Sequence, residues 1–208
     1  MPDAVESALQ RGLNALGLSP DLKDPLLAYQ ALLLRWNRAY NLTSIRDPKQ
    51  SVTRHLLDSL AVAPHVRGPR ILDVGTGPGL PGIPLALVYP QWEFVLLDSN
   101  NKKIRFLRQV VLELGLVNVT PIQERIESCP LSPPFATVIS RAFAATADFV
   151  QMAGHCCALD GRMLAMKGRE ADNDPEGLPA GWGIEQTLDI EVPGLAAARR
   201  LVCLKRIS

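Results

Sequence analysis

The sequence predicts an α/β fold in which a doubly wound sheet of seven strands, with one antiparallel edge strand, follows an N-terminal helical cap. Two patterns carry this prediction. From Arg70 onward, short apolar runs alternate with amphipathic segments of helical period, as they do in mostly parallel sheets. The last two apolar runs, 184–192 and 199–206, are joined without room for a packed helix, so we expect them to pair antiparallel.

The cap is predicted to span residues 1–67 and the sheet-containing domain residues 68–208, together forming one compact unit. The first cap helix ends at Gly17, and Ser19 with Pro20 begins the second. Two aromatic residues on the apolar face of the second helix are interpreted as core residues, Tyr29 and Trp36.

A third cap helix begins at Asp47-Pro48, and its polar residues are Arg54, His55 and Asp58. A lone histidine is more often a surface or hydrogen-bonded residue than a catalyst. Arg54 and His55 therefore become functional candidates only if this helix lies beside the binding site.

The strands of the sheet are predicted from apolar runs bounded by turn residues. They cover 71–74, 93–97, 118–122, 135–140, 162–167, 184–192 and 199–206. Two longer helices are predicted between strands, over 101–114 and 146–159. The basic residues of the first of these helices are interpreted as a solvated face, with RNA contact as the alternative: Lys102, Lys103, Arg105 and Arg108.

The segment 70–82 reads as a strand, a glycine turn and the start of a helix. Gly75, Gly77 and Gly79 carry no Cβ, so the backbone can bend sharply and lie against a ligand. Asp73 comes at the end of the first strand, at the sheet edge where open α/β folds bind ligands.

Two kinds of cofactor fit a glycine turn of this type. A dinucleotide site has the spacing G-x-G-x-x-G, and here Leu80 stands where the third glycine is required. The observed spacing, G-x-G-x-G with an acid two residues upstream, resembles the first motif of S-adenosylmethionine methyltransferases. A turn that binds nothing is the remaining alternative.

Asp98 ends the second strand, 25 residues after Asp73, where an acid can accept hydrogen bonds from the hydroxyls of a ribose. A nicotinamide enzyme would use the same acid, so Asp98 does not discriminate between the two cofactors. After the third strand, Ile126 and Glu127 lie where a loop would flank adenine. These residues, with Asp73 and the glycine turn, form the predicted cofactor site.

The residues after the fourth strand narrow the chemistry of the reaction. Residues 140–143 lack the Asp/Asn-Pro-Pro-aromatic sequence typical of enzymes that methylate exocyclic amines. Cys129, in a loop before that strand, is discounted as a nucleophile for pyrimidine C5 chemistry. A ring nitrogen such as guanine N7 has a free lone pair and needs neither a base nor a covalent intermediate. No catalytic side chain is therefore predicted.

The amino-acid composition limits which partners the protein can bind and in which cellular compartment it is expected. The net charge is +1 and the pI is about 7.7, so a nucleic-acid partner would require a local basic patch. The four cysteines form no C-x-x-C pair, and we expect reduced thiols, no metal site and a cytoplasmic location. The N-terminus lacks the features of a signal peptide, and no apolar stretch is long enough to span a bilayer, so we expect no contact with membranes.

Several segments together resemble the RsmG family, also called GidB, from about Leu22 to Lys205. They are Asn37-Arg38-Ala39-Tyr40-Asn41-Leu42-Thr43, Arg54-His55-Leu56-Leu57-Asp58-Ser59, the glycine block from Asp73 to Gly82, Leu97-Asp98-Ser99, Ser140-Arg141-Ala142 and Lys167-Gly168. The glycine block with its Pro-Gly units is specific, whereas each shorter motif alone is weak.

The resemblance implies a Rossmann-like methyltransferase sheet and a bacterial enzyme that uses S-adenosylmethionine to methylate N7 of guanosine 527 in 16S ribosomal RNA. By matching motifs, it implies cofactor contacts for Gly75, Leu80, Ile126, Glu127 and Arg141. One departure is visible: Arg199-Arg200 stands where the family often has Arg-His. The alternatives are a small-molecule methyltransferase, an NAD-dependent oxidoreductase and an RNA-binding module.

The expected partner is 16S ribosomal RNA or the small ribosomal subunit, bound by a monomer. Four basic residues from separate segments are predicted to contact RNA: Arg54, His55, Lys167 and Arg199. Together with Arg141 they should form a basic rim around the cofactor pocket, provided that the cap folds over the carboxyl edge of the sheet.

Overall fold

The computed structural model describes residues 2–128, 132–143, 145–168 and 177–207. Its centre is one seven-stranded sheet in the order β3-β2-β1-β4-β5-β7-β6. The strands are β1 (Arg70–Val74), β2 (Glu93–Asp98), β3 (Val119–Gln123), β4 (Phe135–Ser140), β5 (Cys157–Gly168), β6 (Trp182–Ile190) and β7 (Arg199–Arg206). The predicted α/β fold class is confirmed. Cys129 lies outside the described residues.

The first five strands are parallel, and β7 is antiparallel to both of its neighbours, β5 and β6. The hairpin of β6 and β7 thus forms the antiparallel edge. Since β7 runs against β5, Arg199 at its start lies opposite Gly168 at the end of β5. The first residues of β7 therefore reach the same edge of the sheet as the ends of the parallel strands.

Helices cover both faces of the sheet and build the cap. They are α1 (Pro2–Ala15), α2 (Lys23–Tyr40), α3 (Pro48–Ser51), α4 (Asp58–Leu60), α5 (Gly82–Val88), α6 (Asn101–Leu114) and α7 (Thr146–Ala153). The predicted bounds of α6 are confirmed: the Asn100 side chain accepts a hydrogen bond from the Lys102 amide, and Gly115 ends the helix in the left-handed conformation.

The predicted third cap helix contains a π-helical segment, Val52–Leu57, between α3 and α4. The second cap helix likewise begins as a short 3-10 turn, Pro20–Leu22, capped by Ser19. π-Helical turns inside helices often occur at functional sites, because they change the direction in which side chains point. Here the segment carries Arg54 and His55.

Several predicted bounds were wrong at the carboxyl side of the fold. The helix predicted over 146–159 ends at Ala153, because β5 begins at Cys157 and not at residue 162 as predicted, and Cys157 pairs with Phe135 of β4. The sixth strand covers Trp182–Ile190, two residues earlier than predicted, because Trp182 pairs with Arg206 at the end of β7. These shifts follow from long-range strand pairing that local hydrophobic patterns do not record.

The apolar core lies on the two faces of the sheet. One cluster joins the cap to the sheet and includes Leu9, Tyr29 and Ile71; the other packs α7 on the opposite face around Phe149. Tyr29 is fully buried, whereas Trp36 is half-buried against the cluster and its ring lies beside Phe106. Because the first cluster is continuous from cap to sheet, the cap is held directly against the sheet.

Candidate active site

The glycine turn after β1 has the backbone that its residue types require. Gly75, Gly77 and Gly79 have φ values of 66°, 63° and 101°, which side-chain-bearing residues rarely adopt. A Cβ on Gly75 would lie 2.8 Å from the Cβ of Ala142. The Gly77 amide donates a hydrogen bond to Asp98 Oδ2 at 2.9 Å, so the turn is fixed to the end of β2.

Asp73 supports the turn from beneath. Its Oδ2 accepts hydrogen bonds from the Thr76 hydroxyl at 2.7 Å and from the Gly82 amide at 2.8 Å, so it joins the turn to the first residue of α5. Burial raises the pKa of Asp73 to about 6, although the Thr76 and Gly82 bonds favour the charged form. Its Oδ1 is buried and has no hydrogen-bond partner within the described part of the chain.

A first cavity of about 390 Å³ opens above the ends of β1 and β2, which is within the usual range for small-ligand sites. Four predicted cofactor residues line it: Gly75, Asp98, Ile126 and Glu127. Asp98 is buried and accepts hydrogen bonds from the amides of Gly77 and Asn100 and from Lys103 Nζ, at 3.1 Å. Lys103 thus does more than form a solvated face. We call this space the turn cavity.

The remaining predicted cofactor residues do not line the turn cavity. Leu80 is 2% exposed and belongs to the core between cap and sheet. A Cβ on Gly79 would lie 2.5 Å from Ile83 Cγ1 and 2.8 Å from Leu107 Cδ2, so this position faces packed side chains rather than open space. Arg141 lines a second cavity, described next. Direct cofactor contact by these residues stays a prediction.

The cap folds over the carboxyl edge of the sheet and encloses a second cavity of about 350 Å³. Side chains from the cap, from three strands and from the residue after β4 line it: Ile45, Arg54, His55, Asp58, Val62, Arg141, Met166, Lys167, Ile190, Arg199 and Arg200, together with Gly168. All five residues of the predicted basic rim are among them. We call this space the cap cavity. Arg141 lines it, while the next residue, Ala142, lines the turn cavity.

Asp58 lines the cap cavity but was not among the functional residues predicted from the sequence. Its side chain is 4% exposed; Oδ1 accepts a hydrogen bond from Arg199 Nε at 2.7 Å, and Oδ2 accepts one from an Arg141 terminal nitrogen at 3.1 Å. The position of Asp58 one turn after Arg54-His55 was the only local signal. Its partners lie 83 and 141 residues away, beyond the reach of periodicity.

His55 is 5% exposed, and both of its ring nitrogens have partners. Nδ1 lies 3.1 Å from the Arg54 carbonyl oxygen, which can only accept, so Nδ1 carries the proton; Nε2 then accepts from the Thr43 hydroxyl at 2.9 Å. Burial and the charge of Arg141 lower the pKa of His55 to about 4. The imidazole is therefore neutral at pH 7, and an RNA contact through it stays a prediction.

The other predicted RNA contacts differ in their availability. Lys167 is 5% exposed and its Nζ donates to the Phe143 carbonyl at 2.8 Å. Arg54 is exposed, and the structure shows no ion pair for its guanidinium among the described residues. Arg200, which stands where a histidine is frequent in the resembling family, pairs with Asp189 at 3.1 Å. Arg54 is thus the most accessible of the four predicted contacts.

Two kinds of feature are absent from the described residues. No group of three or more His, Cys, Asp or Glu residues there could hold a metal ion. None of the helices in that part of the chain has both the length and the apolar character needed to cross a bilayer.

The seven-stranded sheet, with helices on both faces and a glycine turn after β1, has the fold of S-adenosylmethionine-dependent methyltransferases. A SAM-dependent methyltransferase from Aquifex aeolicus has the same fold, with a TM-score of 0.58 and 18% identity over 79% of this chain and 96% of its own. S-Adenosylmethionine is the methyl donor of this class.

The model of the family described as rRNA small subunit methyltransferase G matches residues 23–203, and this chain belongs to that family. Two proteins named ribosomal RNA small subunit methyltransferase G are similar over nearly their whole lengths. The one from Chromohalobacter salexigens is 52% identical over 99% of this chain and 100% of its own. The one from Klebsiella pneumoniae is 51% identical over 95% of this chain and 96% of its own.

Proposed function

We propose that this protein transfers a methyl group from S-adenosylmethionine to N7 of guanosine 527 in 16S ribosomal RNA. The observation that carries the proposal is the pair of cavities at the carboxyl edge of the sheet. They are separated by Arg141 and Ala142, with the predicted cofactor residues on one side and a basic rim on the other. A donor and a target base held on the two sides of this segment would face each other across it.

The residues of the turn cavity suit an adenosyl group. Asp98 would accept hydrogen bonds from the ribose hydroxyls, because a carboxylate has about four lone-pair sites and its described partners use three. Ile126 is apolar and 5% exposed, and with Glu127 it would hold the adenine. The bound cofactor supplies the methyl group as a substituent of a sulfonium ion. A Cβ on Gly75 would lie 2.8 Å from the Cβ of Ala142, so glycine is required where the turn packs against the segment between the two cavities.

The groups around the cap cavity favour a ring nitrogen as methyl acceptor. N7 of guanine has a lone pair and loses no proton, so methylation there needs no general base. This agrees with a neutral His55 whose Nε2 is already hydrogen-bonded to Thr43. The protein then has to orient the ring nitrogen against the methyl group. Such orientation can lower the barrier by about 7 to 11 kcal/mol.

Charge around the cap cavity supports a phosphate-bearing substrate. Arg54, Arg141, Lys167 and Arg199 are cationic, and Asp58 is the one carboxylate among the described side chains that line it. A local excess of positive charge would let a nearly neutral chain bind the RNA backbone. In a small-molecule methyltransferase these basic residues would be incidental.

The test is mass spectrometry of 16S rRNA from a strain that lacks this protein, before and after incubation with the purified protein and S-adenosylmethionine. We expect N7-methylguanosine at position 527 to be absent from the first sample and restored in the second, with naked RNA and assembled small subunits assayed in parallel. Unmethylated 16S rRNA after incubation, together with methylation of a small molecule, would reject the proposal in favour of the alternative.

A further inference from the structure

Asp58 joins three parts of the chain at the floor of the cap cavity. It comes directly after the π-helical segment of the cap, Arg141 directly after β4, and Arg199 begins β7. The carboxylate uses one oxygen for each arginine, at 3.1 Å and 2.7 Å. The two guanidinium groups are therefore held side by side through a single buried acid.

The ion pairs leave part of each arginine available to a ligand. A guanidinium has five N–H donors. Arg141 uses one terminal nitrogen, for Asp58 and for the Arg54 carbonyl oxygen at 3.3 Å. Arg199 uses Nε for Asp58 and one terminal nitrogen for the Ala198 carbonyl oxygen. Within the described residues, the second terminal nitrogen of each arginine has no hydrogen-bond partner, and both side chains are about a quarter exposed, at 27% and 25%.

Burial distinguishes this cluster from an ordinary surface ion pair. The Asp58 side chain is 4% exposed, whereas Asp189, which pairs with Arg200 at the same edge, is 82% exposed. Exposed pairs hold their side chains weakly, because water screens the attraction and competes for the donors. A buried carboxylate with two charged donors has one favourable arrangement, so it constrains both partners.

We propose that Asp58 is a positioning residue for the RNA substrate: it holds Arg141 and Arg199 so that their unused N–H groups face a phosphate or base oxygen in the cap cavity. Asp58 itself acts through the two arginines and does not contact the reacting atoms. This inference rests on the proposed function, since it assigns the RNA as the ligand of the two arginines. It also gives the cap a role in substrate binding, because Asp58 is the cap residue that pairs with both sheet arginines.

The test is steady-state kinetics of Asp58→Asn, a nearly isosteric change, with 16S rRNA or small subunits as substrate. We expect kcat/KM for RNA to fall about tenfold or more, mainly through KM, since displacement of positioning groups by about 1 Å can cost a hundredfold. The matched control is Asp189→Asn, which removes an acid from the exposed pair with Arg200 and should change kcat/KM less than about twofold.

Two further variants separate positioning from a general structural effect. In the double variant Arg141→Ala/Arg199→Ala, kcat/KM should already be low, and adding Asp58→Asn should change it less than about threefold, because its partners are gone. An Asp58→Asn effect as large in this background as in the wild type would overturn the inference, as would wild-type kinetics of the single variant. Circular dichroism and thermal unfolding show that each variant is folded; should Asp58→Asn be unfolded, Asp58→Glu is compared with the double variant in the same way.

Failure of this inference is distinguishable from failure of the proposed function. If the wild-type protein methylates guanine N7 and Asp58→Asn matches it, only the positioning role is rejected. If the wild-type protein leaves 16S rRNA unmodified, the proposed function is rejected, and the positioning role with it.

Discussion

The hydroxyl of Tyr29, in the second helix of the cap, donates a 2.8 Å hydrogen bond to the carbonyl oxygen of Pro78, in the glycine turn of the sheet. Tyr29 is fully buried, and burial raises the pKa of its hydroxyl well above the usual value, so the group is protonated and donates at every accessible pH. The cap therefore contacts the glycine turn at Pro78 as well as the cap cavity at Asp58.

Tyr29→Phe should weaken binding of S-adenosylmethionine severalfold, because the turn loses a contact that holds its backbone in place. The stability loss should be about 1 kcal/mol, the usual net value of one hydrogen bond. The matched control is Tyr89→Phe, which removes an equally short bond, 2.8 Å, to the Ala63 carbonyl away from the turn. Calorimetry should show that the control binds S-adenosylmethionine with an unchanged dissociation constant. Equal dissociation constants for the two variants would show that Tyr29 has no role in cofactor binding.

Gly77→Val should abolish cofactor binding. Gly77 has a φ of 63°, and the nearest atom to an added Cβ is the Gly75 carbonyl oxygen at 4.0 Å, so the new side chain meets little protein but enters the space above the turn. Gly115→Val is the matched control, since Gly115 also has a φ of 63° with nothing within 4 Å, at the end of α6. Both should lose about 1 to 3 kcal/mol of stability to backbone strain. Only Gly77→Val should fail to bind in a calorimetric titration.

Asp98→Ala should raise the dissociation constant for S-adenosylmethionine by about 10- to 150-fold, which corresponds to a loss of about 1.5 to 3 kcal/mol from charge-assisted hydrogen bonds. Glu113→Ala is the control, because Glu113 is an acid at the other end of α6, and neither it nor its described partners, Arg35 and Gln109, line the turn cavity. A structure of the complex with S-adenosylmethionine in which Asp98 points away from the ribose would contradict this role, whatever affinities are measured.

Arg54→Ala should weaken RNA binding and reduce the slope of log K against log salt by about one unit, without changing which base is methylated. Arg54 is exposed at the rim of the cap cavity. The control is Arg67→Ala: Arg67 is also exposed, but its backbone bonds to Thr137 near the start of β4, at the opposite edge of the sheet. If Arg54→Ala changes the cofactor affinity and leaves the salt dependence of RNA binding unchanged, Arg54 would be assigned to the cofactor site instead.

His55 should make stability depend on pH in acid. Its pKa is about 4 in the folded protein, below the 6.5 usual for histidine, so the unfolded chain binds the proton more readily. The contribution of His55 to stability is therefore fully present above pH 6.5 and is lost as the pH falls from 6.5 to 4. When the pH is lowered from 7 to 4.5, the free energy of unfolding should decrease by about 2 kcal/mol more in the wild type than in His55→Gln.

The comparison with His55→Gln is needed because Asp73 acts in the opposite direction. Its folded pKa of about 6 exceeds the usual 3.8 for aspartate, so its ionisation costs stability above pH 6, and that cost is removed as the pH falls toward 3.8. Asp73 is present in both proteins, so its contribution cancels. Denaturant unfolding at a series of pH values provides the measurement, and parallel curves for the two proteins would contradict the prediction.

The sequence alone determined the features that depend on local chemistry. Alternating strands and helices, the bounds of β4, α6 and β7, and the left-handed backbone of the glycine turn follow from periodicity, caps and the conformational freedom of glycine. The same local reasoning led to Asp98 and to the basic residues of the rim.

Only the tertiary structure decided which of these residues meet. β7 inserts between β5 and β6 and runs against both, and this direction brings Arg199 to the edge where Arg141 follows β4. The fold of the cap over that edge then brings Asp58 to within 2.7 Å of Arg199, 141 residues along the chain. Strand order and the choice of ion-pair partner depend on contacts between distant segments, and the local periodicity of a sequence carries no record of them.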